Sequence, residues 1–407
     1  MSSVTPNGLD PDEIGQRLQR ARKQRGLTQA DAAALIDVAR TTLVAIEQGK
    51  RRIKPDELIK LARAYGRQVG EFVRPEAPME HFQVVFRSAN LRGLEDDSRI
   101  LAAIDRFEEY CRDYLTLEDI TASPLRARFP TPYALGPLPP EQAAEIVAQE
   151  ERNRLGLGDG PLLQLRAVLE QDVSLRIFYM PLEPSSTFAA MYSFTAELGG
   201  CIAVNRLHPQ ERRRWSLAHE YAHFLVERHQ PDVALEGRYT RRPEIERFAD
   251  SFAVALLMPA NGLLRRFNNL RDDKQAITPG DLCQLAHYYV VSVEAMTRRL
   301  EGLRALPTGT WERLRDSGFK IRQAQQKLGL ESVGAYDDPF PKRYQYLAIQ
   351  ALDKGRISEG EFAHYLHVDR LKAREIADLL HHEAGDSANG HPVNLTFNPV
   401  AEKVHGD

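Results

Sequence analysis

The pentapeptide His219-Glu220-Tyr221-Ala222-His223 restricts this chain more than any other feature. It lies in a run whose apolar residues, Leu217, Ala218, Tyr221, Phe224 and Leu225, recur at helical spacing. Positions i and i+4 of a helix share one face. Both imidazoles are therefore predicted to point at one spot, at about the separation a zinc ion requires. Glu220 then reaches a metal-bound water. Two neutral nitrogen ligands, an open position and a base are the minimal equipment for metal-dependent hydrolysis.

A second helical run follows. Phe248, Ala249, Phe252, Ala253, Leu256 and Leu257 keep the period, and Pro259 closes it. Glu246 and Asp250 are i and i+4 and share a face. Glu246 is the expected third ligand of a two-histidine, one-carboxylate site. Asp250 is expected to accept the far N–H of a ligating histidine and so fix its tautomer. Glu244, His229 and Asp232 compete for the third position. Glu244 is two residues off and faces elsewhere, while His229 and Asp232 lie too close to the end of the first helix to swing back. Both carboxylates have an alternative use as ion-pair partners of Arg241, Arg242 or Arg247.

The segment Arg214 to His223, followed by Glu246-x-x-Ala249-x-x-Phe252-Ala253-x-x-Leu256-Leu257-Met258-Pro259, resembles the ImmA/IrrE family of metallopeptidases. The likeness extends to Arg154–Pro161 before a helix, to Gly199–Asn205 as the last strand before the active-site helix, and to Tyr289–Leu303 as a closing helix. It covers residues 140 to 305, roughly. Asp250 departs from the second residue of the family's frequent Ala-Asn pair, and Tyr221 is bulkier than usual. The resemblance implies a zincin-like domain with a small sheet, Zn2+ held by His219, His223 and Glu246, and Glu220 as general base. It also implies the substrate: a cognate DNA-binding repressor cut at one site to induce stress, mobile-element or phage-defence genes.

The amino-terminal stretch reads separately. Ile14, Leu18 and Ala21 are spaced helically, Gly26 ends that helix and Thr28 is a natural N-cap for the next. An alanine-rich helix, a short turn at Asp37-Val38 and a helix over Ala39–Gln48 suit a helix-turn-helix, and Pro55 opens a fourth helix. Between Pro11 and Pro75 stand fourteen Lys/Arg against eight Asp/Glu, on a chain of net charge −3. Lys50, Arg51, Arg52 and Lys54 cluster where backbone phosphates would lie. The alternative is a small bundle that binds another protein. Leu27-Thr28-Gln29 and Ile46-Glu47-x-Gly49 resemble the Cro/cI-type (XRE) helix-turn-helix family. That resemblance implies that Gln29 touches phosphate or braces the recognition helix, and that Arg40, Thr41, Thr42 and Ala45 face the major groove. Ala39 replaces the usual capping serine, so that helix starts less well capped.

The 407 residues, 43% of them hydrophobic, suffice for two or three cores. No stretch approaches the apolar length that spans a bilayer, and Met1–Asp10 lacks a basic-then-apolar signal. The three cysteines, Cys111, Cys201 and Cys283, form no C-x-x-C, which points to a reducing cytoplasm. Cys111 carries one further expectation, as a thiolate that holds the metal latent; core packing is the plainer use. Cys201 and Cys283 are expected in the core.

The expected fold is α+β, mostly α. It comprises a helix-turn-helix domain over 1–75, a connector over 76–137, a metallopeptidase domain over 138–305 and a helical domain and tail over 306–407. The connector is expected to hold a strand near Phe82–Phe86, an amphipathic helix over Ser98–Leu117 and a Pro/Gly-rich linker over Phe129–Pro140. Strands are expected within Val173–Asn205, one of them, near Ala189–Thr195 or Cys201–Asn205, an edge that holds substrate backbone. Helical texture recurs over Thr310–Gln326, Arg343–Leu352, Ser358–Leu366 and Asp369–His381, and Val393–Phe397 alternates like a strand. Ile357 to Asp369 reads as a degenerate second helix-turn-helix or as part of a dimer-supporting bundle, the bundle preferred. The function expected is a cytoplasmic DNA-binding zinc peptidase. Its partners are a repressor, duplex operator or single-stranded DNA, and a second copy of the chain. Tyr221, Tyr239 and His287 are candidate oxyanion donors, and Arg238–Arg242 a loop over the cleft. The rival is a regulator whose zinc domain senses a ligand without proteolysis, and a third reading has residues 1–75 docking the repressor.

Overall fold

The computed structural model describes residues 11–25, 27–65, 69–73, 98–183, 188–228, 243–274, 276–330 and 338–388. The expected strands at Phe82–Phe86 and Val393–Phe397 lie outside them. The fold is α+β and mostly α, and contacts divide the chain into two compact units, one of residues 1–116 and 124–341, the other of 117–123 and 342 onward.

At the amino end, α1 (Pro11–Gln24), α2 (Gln29–Leu35), α3 (Arg40–Glu47), α4 (Pro55–Tyr65) and α5 (Val69–Val73) enclose a core built on Leu18, Leu43, Ile46 and Leu61. Thr28 caps α2 reciprocally with Asp31, whereas Ala39 gives α3 no side-chain cap. α1 and α3 approach so closely that a Cβ on Gly15 would stand 2.5 Å from the Ile46 carbonyl oxygen. The end of α3 is pinned by a buried ion pair. Arg22 donates to both Glu47 oxygens at 2.6 and 3.0 Å and to the Leu27 carbonyl at 2.8 Å. Gly49 then turns the chain away from α3 at φ 67°, with no room for a Cβ against Asp12.

The central core is built from α6 (Ser98–Thr121), α7 (Pro140–Arg154), α8 (Leu165–Asp172), β1 (Arg176–Met180), β2 (Ala190–Thr195), β3 (Gly199–Asn205), α9 (Gln210–Glu227) and α10 (Pro243–Leu257). It is completed by α11 (Ala260–Lys274), α12 (Pro279–Tyr289), α13 (Val293–Gly302), α14 (Thr310–Asp316) and α15 (Ile321–Lys327). The sheet order is β1-β3-β2: β3 runs parallel to β1, with Arg176 opposite Cys201, and antiparallel to β2, with Ala190 opposite Val204. Of the two stretches expected to offer an edge, Cys201–Asn205 is therefore the central strand and only β2 stands at a rim. At the other rim the Tyr179 N–H is already given to the Pro339 carbonyl. α9 packs on β2 and β3, and α10 lies against α7 and α9.

Three expectations on the connections change. The α6 rings of Phe107, Tyr110 and Tyr114 surround Phe178 of β1, with centroids 6.1, 5.5 and 6.4 Å away, so this helix belongs to the central core. The Pro/Gly-rich stretch is likewise not a bare linker: Phe129, Tyr133 and Leu135 pack on that core. At the far side Trp311, Leu314 and Ile321 join it, which carries the unit past the 305/306 boundary read from the sequence. The helical texture over Thr310–Gln326 takes the form of two helices, α14 and α15, parted at Gly318, φ 71°.

The second unit holds α16 (Lys342–Asp353), α17 (Glu359–Tyr365) and α18 (Arg370–Ala388). Its α17-to-α18 corner follows the α2-to-α3 corner at three points, although Asp369 accepts from Lys372 N at 2.9 Å where Ala39 caps nothing. Ser358 caps α17 reciprocally with Glu361, as Thr28 caps α2 with Asp31. His367 takes φ 50° where Asp37 takes φ 57°. Val368 N donates to the Ala363 carbonyl at 3.1 Å, as Val38 N does to Ala33 at 3.0 Å. Of the two readings of Ile357–Asp369, the local geometry is that of the helix-turn-helix. The positions that correspond to Lys50, Arg51, Arg52 and Lys54 hold Leu380, His381, His382 and Ala384.

Replacing Glu47 by Ala leaves the Arg22 guanidinium buried and unpaired, which costs about 3–5 kcal/mol. Equilibrium urea unfolding of the full chain is expected to show that loss in the amino-terminal transition, and a loss under about 1 kcal/mol would mean the pair is solvated.

Candidate metal centre and nucleic-acid face

α9 is held so that its polar residues have fixed directions. Twelve of its residues are buried, so the helix cannot roll without exposing core. Arg214 anchors its first half by donating to the carbonyls of Leu162 (2.6 Å), Leu163 (2.9 Å) and Val290 (3.2 Å). Burial lowers this guanidinium to about 10, still charged at neutral pH. On the flank away from the histidines, the Tyr221 hydroxyl donates to Glu151. Glu151 also accepts from Tyr133 at 2.9 Å and from Arg154 at 2.7 and 2.8 Å. Tyr221 is thereby committed to a buried network and is not an oxyanion donor, as the sequence had allowed. His287 stands near the end of α12, and Tyr239 lies outside the described residues.

The two α9 histidines and the α10 carboxylates converge. The Nε2 atoms of His219 and His223 are 3.2 Å apart. The Glu246 oxygens lie 3.6 Å from His219 Nε2 and 3.8 Å from His223 Nε2. Each histidine's other nitrogen meets a carboxylate: His219 Nδ1 is 3.0 Å from Asp250, and His223 Nδ1 is 3.1 Å from Glu227. A proton on each Nδ1 leaves both Nε2 lone pairs turned toward Glu246. Glu227 was not singled out in the sequence, although its i+4 spacing from His223 was legible. Of the alternative partners, Arg247 is taken by Glu141 at 2.7 Å, Glu244 is exposed, and His229, Asp232, Arg241 and Arg242, with the rest of the loop expected over the cleft, lie outside the described residues.

Three donor atoms at these separations fit a zinc ion. Ligand distances of about 2.0–2.2 Å in tetrahedral geometry place donors roughly 3.3–3.6 Å from one another. Two facing imine nitrogens beside a carboxylate repel unless a cation stands among them. The electrostatics agree: although desolvation lowers it, the Asp250 and Glu246 carboxylates raise His219 to about 9. The site therefore prefers positive charge, whether a proton or a metal. With three donors among the described residues, a bound ion would keep a position for water or substrate. Glu220, also buried, follows His219 directly. The Trp215 ring lies over His219, centroids 5.0 Å apart at 36°.

Cys111 is not near this centre. It is fully buried on α6 with its thiol against Cys201 of β3, and desolvation with that neighbour holds it well above the usual thiol range. The latency reading falls, because the thiol sits in the core and stays protonated.

At the amino end, Arg40, Thr41 and Lys50 are exposed, and Thr42 is half-buried. Lys50 donates to Gln48 at 2.9 Å. Gln29 donates to Glu47 at 3.0 Å, which braces α3 through the buried Arg22 pair. Arg51 is already held by both oxygens of Glu57, at 2.9 and 3.0 Å, and so is the least available of the expected phosphate contacts.

Comparison with known proteins agrees with this division. Residues 170–301 match a peptidase family described as the IrrE N-terminal-like domain, and residues 18–72 match the family described as Helix-turn-helix. No curated protein matches the chain. Among solved structures, Bacillus thuringiensis PlcR in complex with the peptide PapR7 and DNA is 13% identical, over 93% of this chain and 98% of that one, with a TM-score of 0.17. ComR from Streptococcus suis is 10% identical, over 93% and 96%, with a TM-score of 0.16. Scores of this size do not amount to a shared fold.

Removing a carboxylate behind a ligating histidine commonly weakens a metal site by about 10–100-fold. Asp250→Ala and Glu227→Ala are each expected to do so here, read by competition for zinc against a chromophoric chelator. Unchanged affinity in both would leave the outer nitrogens without a role.

Proposed function

We propose that this chain, which joins a helix-turn-helix domain to an IrrE N-terminal-like domain, is a DNA-binding zinc endopeptidase that cuts a cognate transcriptional repressor. The carrying observation is the convergence of His219, His223 and Glu246, each histidine backed by a carboxylate, with Glu220 beside them. Zinc bound by these three residues would lower the pKa of water toward neutrality and polarise the scissile carbonyl. Asp250 and Glu227 hold the imidazole tautomers. Glu220 takes a proton from the attacking water and returns it to the leaving amine. β2, as a sheet edge, receives the substrate backbone as an added strand. A structural zinc site normally closes all four positions with protein ligands, so three donors among the described residues and an adjacent carboxylate favour hydrolysis over a purely structural metal.

The amino-terminal domain supplies the address. Arg40 and Thr41 meet base edges in the major groove, Thr42 lies beside them, and Lys50 and its neighbours meet phosphate. A single domain of this size grips DNA weakly, which favours pairing of two copies on a palindromic site. Among the described residues no helix is long and apolar enough to cross a membrane. DNA as partner favours a cytoplasmic regulator released by a signal over a degradative protease. The rival remains a regulator that senses a ligand without proteolysis.

Glu220→Gln separates the two. The expected result is full zinc content with cleavage of the repressor reduced by at least about 100-fold. Persistent cleavage would remove Glu220 from its role, and no cleavage by the unaltered zinc-loaded chain would favour the sensor. For the other domain, Arg40→Ala is expected to weaken operator binding, and affinity should fall steeply with salt in a gel-shift titration, since phosphate contacts release counterions.

A further inference from the structure

Two of the chain's three cysteines meet in the central core. The sheet presents a different face to each side. Ile177 of β1 and Ile202 of β3 share a core with the apolar residues of α9. On the opposite face Phe178 of β1 lies among the α6 rings, and the Arg176 guanidinium stands 4.9 Å from the centre of the Tyr114 ring. Side chains alternate along a strand, and Arg176 pairs in register with Cys201. Cys201 is therefore directed at α6. On that helix Cys111 comes one turn after Phe107 and one turn before Tyr114, on the face laid over the sheet. The two thiols are hydrogen-bonded to each other, and both are fully buried. Cys283 lies elsewhere, on α12.

A lone buried cysteine packs as a small apolar group. Two in contact can also be joined. In reducing compartments such bonds are typically transient and redox-sensing. Here the bond would fall on α6, which carries the chain from the amino-terminal domain and whose last residues belong to the second unit. Its other end would fall on β3, the strand that precedes α9 and its two histidines.

We propose that Cys111 and Cys201 are a reversible redox lock: hydrogen peroxide joins them in a disulfide that fastens α6 to β3, and a dithiol reductant releases it. One sulfur attacks the O–O bond and becomes a sulfenic acid, while its proton leaves with the departing hydroxide as water. The second sulfur displaces the sulfenic hydroxyl, which takes the second thiol proton as another water, and the S–S bond forms. Each sulfur gives up one electron and the peroxide takes both. A dithiol returns two electrons and two protons by exchange. Burial selects the oxidant: a small neutral peroxide enters through local opening of the core, and a charged peptide disulfide is kept out. The lock is independent of whether the metal centre hydrolyses peptides.

The full-length, zinc-loaded chain is treated with millimolar hydrogen peroxide, quenched, alkylated under denaturing conditions and mapped by peptide mass spectrometry. The expected result is one cross-linked pair, Cys111 with Cys201, and an alkylated Cys283. The thermal midpoint should rise by at least about 5 °C with zinc content unchanged. Amides of α6 should exchange about tenfold more slowly in the oxidised chain. Dithiothreitol should reverse the link and both shifts. Cys111→Ala and Cys201→Ala should each abolish them. A pair that stays fully alkylatable, a link that includes Cys283, or sulfinic acid in place of the disulfide overturns the proposal. So does a link that leaves the midpoint and the α6 exchange unchanged, or one formed equally fast by oxidised glutathione. The mapping uses the unaltered chain, so a variant that fails to fold does not shield the proposal.

Discussion

Everything at the candidate metal centre depends on α9 being unable to rotate. A helix with one buried flank could roll by a few tens of degrees and still satisfy its core. This one is packed against β2 and β3, clasped through Arg214 to three carbonyls, and tied through Tyr221 to Glu151. Arg214 and Tyr221, seven residues apart, tie down one flank of the helix, opposite the histidines. The histidine pair is thus aimed before any ligand arrives, and the cost of gathering like-charged carboxylates round it is met by packing elsewhere.

The arrangement also explains why an acid-rich site tolerates so much burial. Asp250 and Glu227 stand behind the rings, and Glu246 stands in front. Each carboxylate has a nitrogen to face, so the burden falls on what lies at the centre, where a cation relieves all of it. A neutral residue at any one of these positions would loosen the centre without collapsing the fold, because the apolar residues of α9 and α10 make separate contacts.

Much of this was legible in the sequence, for a plain reason. His219, Glu220 and His223 are adjacent, and Glu246 and Asp250 are one turn apart, so helical periodicity alone fixed their faces. Glu227 is equally visible by spacing, one turn beyond His223, but lies outside the pentapeptide. What periodicity cannot supply is the partner across the core. Tyr221 carried a hydroxyl in the right neighbourhood, but Glu151 lies 70 residues earlier. Cys111 met Cys201 through a packing of α6 on the sheet that no local pattern announces. The same holds for the aromatic residues between Phe129 and Leu135, whose prolines and glycines suggested a tether while their rings were seeking the core.

The recurring corner in the second unit is a different lesson. Two capping side chains and the main chain define it: a reciprocal cap, a left-handed residue and one long-reaching amide. Aspartate serves at the bend in one case and histidine in the other. The outward side chains are consequently under no obligation to the turn. Where the first copy presents Thr41, the second presents Leu371, 71% exposed. The same bracket can therefore hold a greasy fingertip in place of a polar one, and changing its grip requires no change of shape.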